Sequence, residues 1–181
     1  MHALQIHEYG EADCLAYEDA PLPEPRTGEV RVRIAATGVN FVETYQRRGW
    51  YPSVLPFIPG AEFAGTVDAV GPGVEELKVG DRVATASGKL GYAEYGLART
   101  SQLVPVPEQL SLELAAAVML QGITAHYLAL STYPIQQGDT VLVHAAAGGV
   151  GQLLVQVAKR RGARVIGTCS NEEKARLARE A

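Results

Sequence analysis

The chain contains little cysteine and no long run of apolar residues. Only Cys14 and Cys169 occur among 181 residues, too far apart for a Cys-x-x-Cys motif, so we expect reduced thiols rather than a disulfide framework or a thiolate metal site. The longest weakly polar run, 114–123, has about half the length that spans a bilayer and contains Gln121. The polar N-terminus does not resemble a signal peptide. We therefore expect a cytoplasmic protein without a membrane partner.

An excess of positive charge is also missing. Sixteen Lys and Arg residues against twenty Asp and Glu residues give a net charge of −4, which does not attract a polyanionic backbone, so we expect no nucleic-acid partner. With 47% hydrophobic and 20% charged residues, the composition is that of a globular protein and excludes a disordered or fibrous chain.

Residues 1–110 are predicted to form a mostly β domain. Short alternating runs separated by Gly and Pro predict strands at 3–7, 29–35, 62–70, 81–86 and 92–98. In the second run, Val30, Val32 and Ile34 share one face, with charged residues on the other, the period of a half-buried strand.

After residue 110 the apolar period becomes helical. Ser111 is a candidate N-cap for a helix to residue 120, and a second helix is predicted at 123–131. A strand at 140–145, a glycine-rich turn, a helix and a second strand at 163–168 then form a βαβ unit. The apolar face predicted for its helix comprises Val150, Leu153, Leu154, Val157 and Ala158. Asn171 is predicted to cap one further helix.

The glycine-rich turn matches the dinucleotide pattern G-x-G-x-x-G at two of its three glycines. The pattern positions are Ala146, Gly148 and Gly151, so alanine replaces the first glycine. A glycine at 148 lets the backbone approach a pyrophosphate, one at 151 permits close packing of helix and strand, and the helix N-terminus attracts the negative charge. The alternative is a plain tight turn without a ligand.

A family resemblance accompanies this turn. The turn region resembles the signature of the quinone oxidoreductase and zeta-crystallin branch of the medium-chain dehydrogenases and reductases. The residues that carry this resemblance are Gly138-Asp139, Leu142, Ala146-Ala147-Gly148-Gly149, Gly151, Gln156 and Lys159. The β-rich part adds 38–45, 59–65, Gly71 with Gly73, and 79–83, so the resemblance covers the whole chain.

The resemblance implies an α/β plus β fold. It predicts a GroES-like, mostly β substrate domain at 1–110, followed at 111–181 by the first part of a Rossmann domain, a doubly wound parallel sheet that binds NADPH. The active site of such proteins lies in a cleft, and the full-length protein is expected to be a homodimer.

The zinc ligands of other members of this superfamily are replaced here. Asn40 stands where they have a catalytic Cys and Ala61 where they have a His, and neither is a good zinc ligand. His2, His7, His126 and His144 have no common ligand spacing. The sequence thus predicts a zinc-free protein with no metal site.

Without a metal, hydride addition to a quinone or another conjugated carbonyl needs only modest stabilisation of the developing oxygen charge. By resemblance, Asn40, Tyr45, Tyr51 and Gln121 line the catalytic site, and Asn40 or Thr124 orients the nicotinamide ribose. The alternative for each tyrosine is half-buried packing. Glu62 is interpreted as a structural carboxylate rather than a base.

The cofactor-binding residues are expected in the turn, Ala146, Gly148, Gly149, Val150 and Gly151, and after the second strand, Ser170, Asn171 and Lys174. No acid ends that strand to accept a ribose hydroxyl, which favours NADPH over NADH. By resemblance, Lys174 contacts the 2′-phosphate; the alternative is a solvated helix residue.

Family members are considerably longer than this chain. We therefore expect either a C-terminally truncated chain or one that a partner completes. The first functional hypothesis is an NADPH-dependent quinone oxidoreductase with a small-molecule quinone or enone as substrate. The alternatives are an enoyl or enone reductase of the same branch, and a dinucleotide-binding or structural protein without turnover.

Overall fold

A computed structural model describes residues 1–181 and divides them into two compact units, Met1–Met119 and Leu120–Ala181. The first unit is mostly β. Its elements are β1 (His2–Ile6), β2 (Leu15–Asp19), β3 (Glu29–Thr37), α1 (Phe41–Arg47), β4 (Phe63–Val70), β5 (Arg82–Thr85), β6 (Tyr95–Arg99) and β7 (Val104–Pro105). Short 3₁₀ turns lie at Ala12–Cys14 and Thr100–Gln102.

Five of these strands form one antiparallel sheet in the order β6-β3-β4-β5-β7, and β1 pairs with β2 in a separate hairpin. Val30 and Val32 are fully buried in the core with Phe63 and Val83, which confirms the predicted apolar face of β3. Glu29 lies on the opposite face but is buried as well. All five predicted strands are present, whereas β2, β7 and α1 were not predicted.

The remaining elements are α2 (Leu112–Tyr127), one π-helical turn (Leu128–Thr132), β8 (Thr140–Val143), α3 (Gly149–Arg160), β9 (Arg164–Gly167) and α4 (Glu172–Glu180). Ser111 caps α2, since its Oγ accepts the Leu114 N–H at 3.2 Å. The predicted division into two helices is wrong. No proline interrupts this segment, and a helix accommodates Gly122 at a cost of about 1 kcal/mol.

In the second unit β8 and β9 pair in parallel, joined by α3, which confirms the predicted βαβ unit. The buried residues of α3 are Gly151, Val155 and Ala158. Of the predicted face, Ala158 is buried and Leu154 and Val157 pack against the core, whereas Val155, which was not predicted, is buried as well.

One helical stretch, Leu112–Thr132, is long and apolar enough to cross a membrane by length and composition alone, with 22% of its most apolar window buried. Core helices of soluble proteins can meet the same criterion. The stretch is longer than the 114–123 run considered in the sequence, because the continuous helix joins apolar segments on both sides of Gln121.

Candidate functional site

Helix α1 carries two of the predicted catalytic residues and begins with a capping box. The main-chain N–H of Asn40, the N-cap, donates to Glu43 Oε2 at 2.6 Å. In the other half of the box, the Asn40 side chain accepts from the main-chain N–H of Glu43. The two bonds satisfy main-chain donors that a helix N-terminus leaves without intrahelical partners, so a seven-residue helix is stable here. The cap also fixes where the side chain of Asn40 leaves the backbone.

The Asn40 side chain is held from a second direction. Its Nδ2 donates to Glu62 Oε2 at 2.9 Å, and Glu62 is only 1% exposed. Asn40 itself is partly exposed. The structure thus joins a predicted site residue to a fully buried carboxylate, in agreement with the interpretation of Glu62 as structural.

An aromatic cluster, defined here as Phe41, Tyr45, Trp50 and Tyr51, continues from this helix. The rings of Tyr45 and Trp50 stack with centroids 5.4 Å apart, and Tyr51 meets Tyr45 edge-on at 5.7 Å. Phe41, Trp50 and Tyr51 are 79%, 63% and 58% exposed. A surface with this much exposed ring area suits a flat, apolar ligand.

Burial controls the ionisation of the groups beside α1. It raises the pKa of Glu43, and the nearby charge of Glu62 adds to this, whereas the hydrogen bond from the Asn40 N–H acts in the opposite direction. Burial likewise raises the pKa of Tyr92 well above its usual value, with the charge of Glu43 as the next cause. Tyr92 is therefore a neutral phenol at physiological pH.

In the second unit, the predicted cofactor turn follows β8. Ala145 adopts a positive φ of 50°, and its carbonyl accepts the Gly148 N–H at 2.8 Å. Ala146, at the first glycine position of the pattern, is fully buried. The left-handed residue is thus Ala145, which explains how alanine is tolerated at position 146.

Two glycines in this turn have different reasons to be glycine. A Cβ on Gly151 would lie 2.3 Å from the Ala145 carbonyl oxygen, whereas a Cβ on Gly148 would lie 3.2 Å from the same atom. Gly151 is buried, and Gly148 and Gly149 are exposed at the N-terminus of α3. Packing therefore requires Gly151, whereas a Cβ on Gly148 would make only a tight contact, at the exposed N-terminus of α3.

An open cavity of about 720 Å³ lies beside this turn. It is lined by Ala146 and Gly167, by the predicted residues Ser170 and Asn171, and by side chains of α3 and α4 that include Lys159 and Arg179. Lys174 is exposed on α4, and its N–H donates to Asn171 Oδ1 at 2.9 Å. This bond confirms Asn171 as the N-cap of α4.

Gln121 and Thr124 lie on α2. Gln121 packs against the turn, since a Cβ on Gly149 would lie 3.0 Å from Gln121 Cγ. Thr124 is partly buried one turn later. Asn40, Tyr45 and Tyr51 therefore gather in the first unit, and Gln121, Thr124 and the cofactor residues in the second. No group of three or more His, Cys, Asp or Glu side chains is arranged to hold a metal ion.

Two contacts were not predicted from the sequence, that of Trp50 with Tyr45 and that of Glu62 with Asn40. Trp50 reaches Tyr45 because Gly49 turns the chain with a φ of +73° directly after α1, and neither the helix nor the turn was predicted. Glu62 meets Asn40 across 22 residues of sequence. No local pattern signals either contact.

Comparison with known proteins places these features in a family context. Residues 26–108 match the alcohol dehydrogenase GroES-like domain. The chain is 50% identical over 179 residues to a quinone oxidoreductase of Pseudomonas aeruginosa and 44% identical over 185 residues to a 2-haloacrylate reductase of Burkholderia sp. Each alignment covers 98% of this chain, but only 55% and 56% of the relative.

A solved mycobacterial structure, complexed with NADPH, superposes with a TM-score of 0.96 at 49% identity. The superposition covers 99% of this chain and 56% of the mycobacterial chain. The chain thus spans about half the length of the curated relatives it matches.

Proposed function

We propose that this chain, which is similar to quinone oxidoreductases of the medium-chain dehydrogenase/reductase superfamily, carries the acceptor-binding unit and the first part of the NADPH-binding unit of such a reductase. The observation that carries the proposal is the combination of the exposed aromatic cluster with the glycine turn in one chain. The overall reaction is hydride transfer to a quinone together with uptake of one proton, which gives a hydroquinone.

The second unit supports the cofactor assignment. The open helix N-terminus at Gly148 and Gly149 suits a pyrophosphate, and the mycobacterial relative is complexed with NADPH. Ser170 and Lys174 extend polar and positive groups beyond β9, where a 2′-phosphate is expected. When bound, the cofactor supplies the hydride.

The first unit supports the acceptor assignment. The aromatic cluster offers ring surface against which a planar quinone stacks. Asn40, Tyr45 and Tyr51 carry the N–H and O–H groups that stabilise negative charge developing on the quinone oxygen. The absence of a zinc ligand set at Asn40 and Ala61 is consistent with this use of side-chain donors.

A second candidate is the reduction of a conjugated alkene. The relative named 2-haloacrylate reductase is 44% identical to this chain, nearly as similar as the quinone oxidoreductase. In both reactions a hydride adds to a conjugated acceptor whose oxygen gains charge, so one set of donors serves either substrate.

The test joins this chain to the remaining part of the Pseudomonas aeruginosa relative. We expect the chimera to oxidise NADPH in the presence of duroquinone, followed at the NADPH absorbance, and the 181-residue chain alone to turn over little. Faster NADPH oxidation with 2-chloroacrylate than with duroquinone would favour the second candidate. A folded chimera that oxidises NADPH with neither acceptor would contradict both.

A further inference from the structure

The segment 49–53, which carries Trp50 and Tyr51, follows α1 and forms no helix or strand. Near its start the Trp50 and Tyr51 N–H groups both donate to the Tyr45 carbonyl, at 2.9 and 3.3 Å. An irregular segment lacks the repeated main-chain hydrogen bonds of a helix or strand. The position of two rings of the aromatic cluster therefore depends on contacts that other parts of the chain make with this segment.

Tyr9, in the loop between β1 and β2, bonds to the end of the segment. Its hydroxyl donates to the Ser53 carbonyl at 2.6 Å and accepts from the Ser53 N–H at 2.9 Å. A phenolic hydroxyl can donate and accept at the same time. One side chain thus satisfies both main-chain groups of Ser53, as a residue of a paired antiparallel strand does.

The ring of Tyr9 contacts the start of the same segment. A Cβ on Gly49 would lie 2.9 Å from two ring carbons of Tyr9, so the ring lies directly on the Gly49 backbone. Gly49 has a φ of +73°, a conformation that residues with a side chain rarely adopt. The hydroxyl and the ring of Tyr9 therefore contact the segment on both sides of Trp50 and Tyr51.

The loop that carries Tyr9 is itself bonded to the end of α1. The Gly10 N–H donates to the Arg47 carbonyl at 3.0 Å. Glu11 Oε2 accepts from Arg48 Nη2 at 2.9 Å and from Arg47 Nη2 at 3.3 Å. The loop is thus fixed to the helix from which the segment continues, so Tyr9 provides a support that does not move relative to α1.

We propose that Tyr9 is a positioning residue: it holds the segment 49–53 so that Trp50 and Tyr51 present their rings to a planar quinone bound at the aromatic cluster. This inference rests on the proposed acceptor-binding function of the first unit. Tyr9 acts through the segment and makes no contact with the quinone. Without the hydroxyl the segment would visit other positions, and the fraction of molecules with a complete cluster would fall.

The experiment uses the chain as it stands, with duroquinone as the probe. Trp50 is the only tryptophan, so saturable quenching of its fluorescence gives Kd once the collisional quenching of N-acetyltryptophanamide has been subtracted. The fully methylated ring of duroquinone resists addition of the Cys14 and Cys169 thiols. Without quinone, the tryptophan band of the near-UV circular dichroism reports how Trp50 stacks on Tyr45.

Tyr9→Phe removes only the hydroxyl. We expect duroquinone binding to weaken about two- to fivefold, because the hydrogen bonds that hold the segment are lost, and the tryptophan band to decrease. A loss of global stability alone would change neither signal of the folded chain. Tyr17→Phe is the matched control, since it removes the same group from the same hairpin, where Tyr17 is 71% exposed and stacks on His2. It should leave Kd and the tryptophan band unchanged.

An unchanged Kd in Tyr9→Phe, with saturable quenching in the unmutated chain, would overturn the positioning role and leave the proposed function intact. Weaker binding with an unchanged tryptophan band would overturn it as well, because Tyr9 would then contact the quinone itself. Absence of saturable quenching in the unmutated chain would contradict acceptor binding by this unit, and the inference with it.

Should Tyr9→Phe fail to fold, hydrogen exchange of the unmutated chain decides. The Ser53 N–H exchanges when it separates from the Tyr9 hydroxyl. If quinone binds only while the segment is held, saturating duroquinone stabilises the held state and slows this exchange. An exchange rate of the Ser53 N–H that duroquinone does not change would overturn the inference.

Discussion

The Nζ of Lys89 donates to the buried carboxylate of Glu29 at a distance of 3.0 Å. Glu29 lies at the start of β3 and is 6% exposed, whereas the Lys89 side chain is 65% exposed. This hydrogen bond is the main cause that holds the pKa of Glu29 below its usual value, against the opposing effect of burial. The ion pair therefore links the stability of the first unit to pH.

Removal of the Lys89 amine tests that link. A lowered carboxyl pKa contributes stability above the ordinary value of 4.5, and this contribution is lost as pH falls through the lowered pKa. Lys89→Met should therefore lower the free energy of unfolding by about 1 to 2 kcal/mol at pH 7 and by much less near pH 3. Urea unfolding at both pH values measures this.

The matched control is Lys78→Met. Lys78 is 85% exposed and pairs with Asp81 at 2.8 Å, and exposed pairs contribute at most about 1 kcal/mol. A loss at pH 7 no larger for Lys89→Met than for Lys78→Met would contradict the importance assigned to the Glu29 contact.

Glu43 should show the opposite pH dependence. Burial raises its pKa, so its contribution to stability is present below the ordinary value of 4.5 and is lost as pH rises through the raised pKa. In the Glu43→Gln variant the buried side chain is a neutral amide, so it carries no negative charge at any pH. The melting temperature of the variant relative to the unmutated chain should therefore increase from pH 4 to pH 8, and parallel melting curves across this range would show that the carboxylate is not destabilised by burial.

Gly38 should tolerate no side chain. In Gly38→Ala the new Cβ would lie 1.9 Å from Glu62 Oε2, and such overpacking costs about 1 to 3 kcal/mol. Gly122→Ala is the control, because Gly122 lies in α2 with nothing within 4 Å of a Cβ. Its alanine should stabilise the chain by up to about 1 kcal/mol. Equal free energies of unfolding for the two variants would contradict the close seating of Glu62 on Gly38.

Alanine substitutions at Gly148 and Gly151 should have different effects, the first on NADPH affinity and the second on the stability of the second unit. Gly151→Ala places a Cβ 2.3 Å from the Ala145 carbonyl oxygen and should destabilise the second unit. Gly148→Ala, at 3.2 Å from that oxygen, should fold but hinder a pyrophosphate, with NADPH affinity at least about tenfold lower. Thermal unfolding and NADPH titration of the chimera measure the two effects. A Gly148→Ala variant with unchanged NADPH affinity would favour the plain tight turn.

Lys174 should discriminate between cofactors. If its ammonium contacts the 2′-phosphate, Lys174→Ala in the chimera removes a charge-assisted hydrogen bond worth roughly 1.5 to 3 kcal/mol, which weakens NADPH about tenfold or more. NADH affinity should hardly change. Arg176→Ala is the control on the same helix, since Arg176 pairs with Glu180 at 3.0 Å. Equal losses for NADPH and NADH would contradict the phosphate contact.

The local sequence pattern was sufficient to predict those features that depend on residues within a single helix or strand. The apolar alternation of β3 predicted its buried face, and Ser111 and Asn171 cap α2 and α4 as expected. Prediction was wrong where two signals compete, as at Gly122, where helix continuity outweighs the local cost of glycine. Helix α1 was missed because it is short, and its stability depends on the bond between Asn40 and Glu43 rather than on an apolar period.

The sequence by itself determined the β-rich first part, the βαβ unit with its glycine turn and the family resemblance, because these follow from periodicity and from motifs contiguous in the chain. Only the tertiary structure decided that Glu62 holds the Asn40 amide, that Trp50 stacks on Tyr45 and that Val155 faces the core. Those contacts depend on distance and direction between elements, which hydrophobic pattern does not encode. A buried carboxylate and an exposed ring acquire their roles only from the groups that folding places beside them.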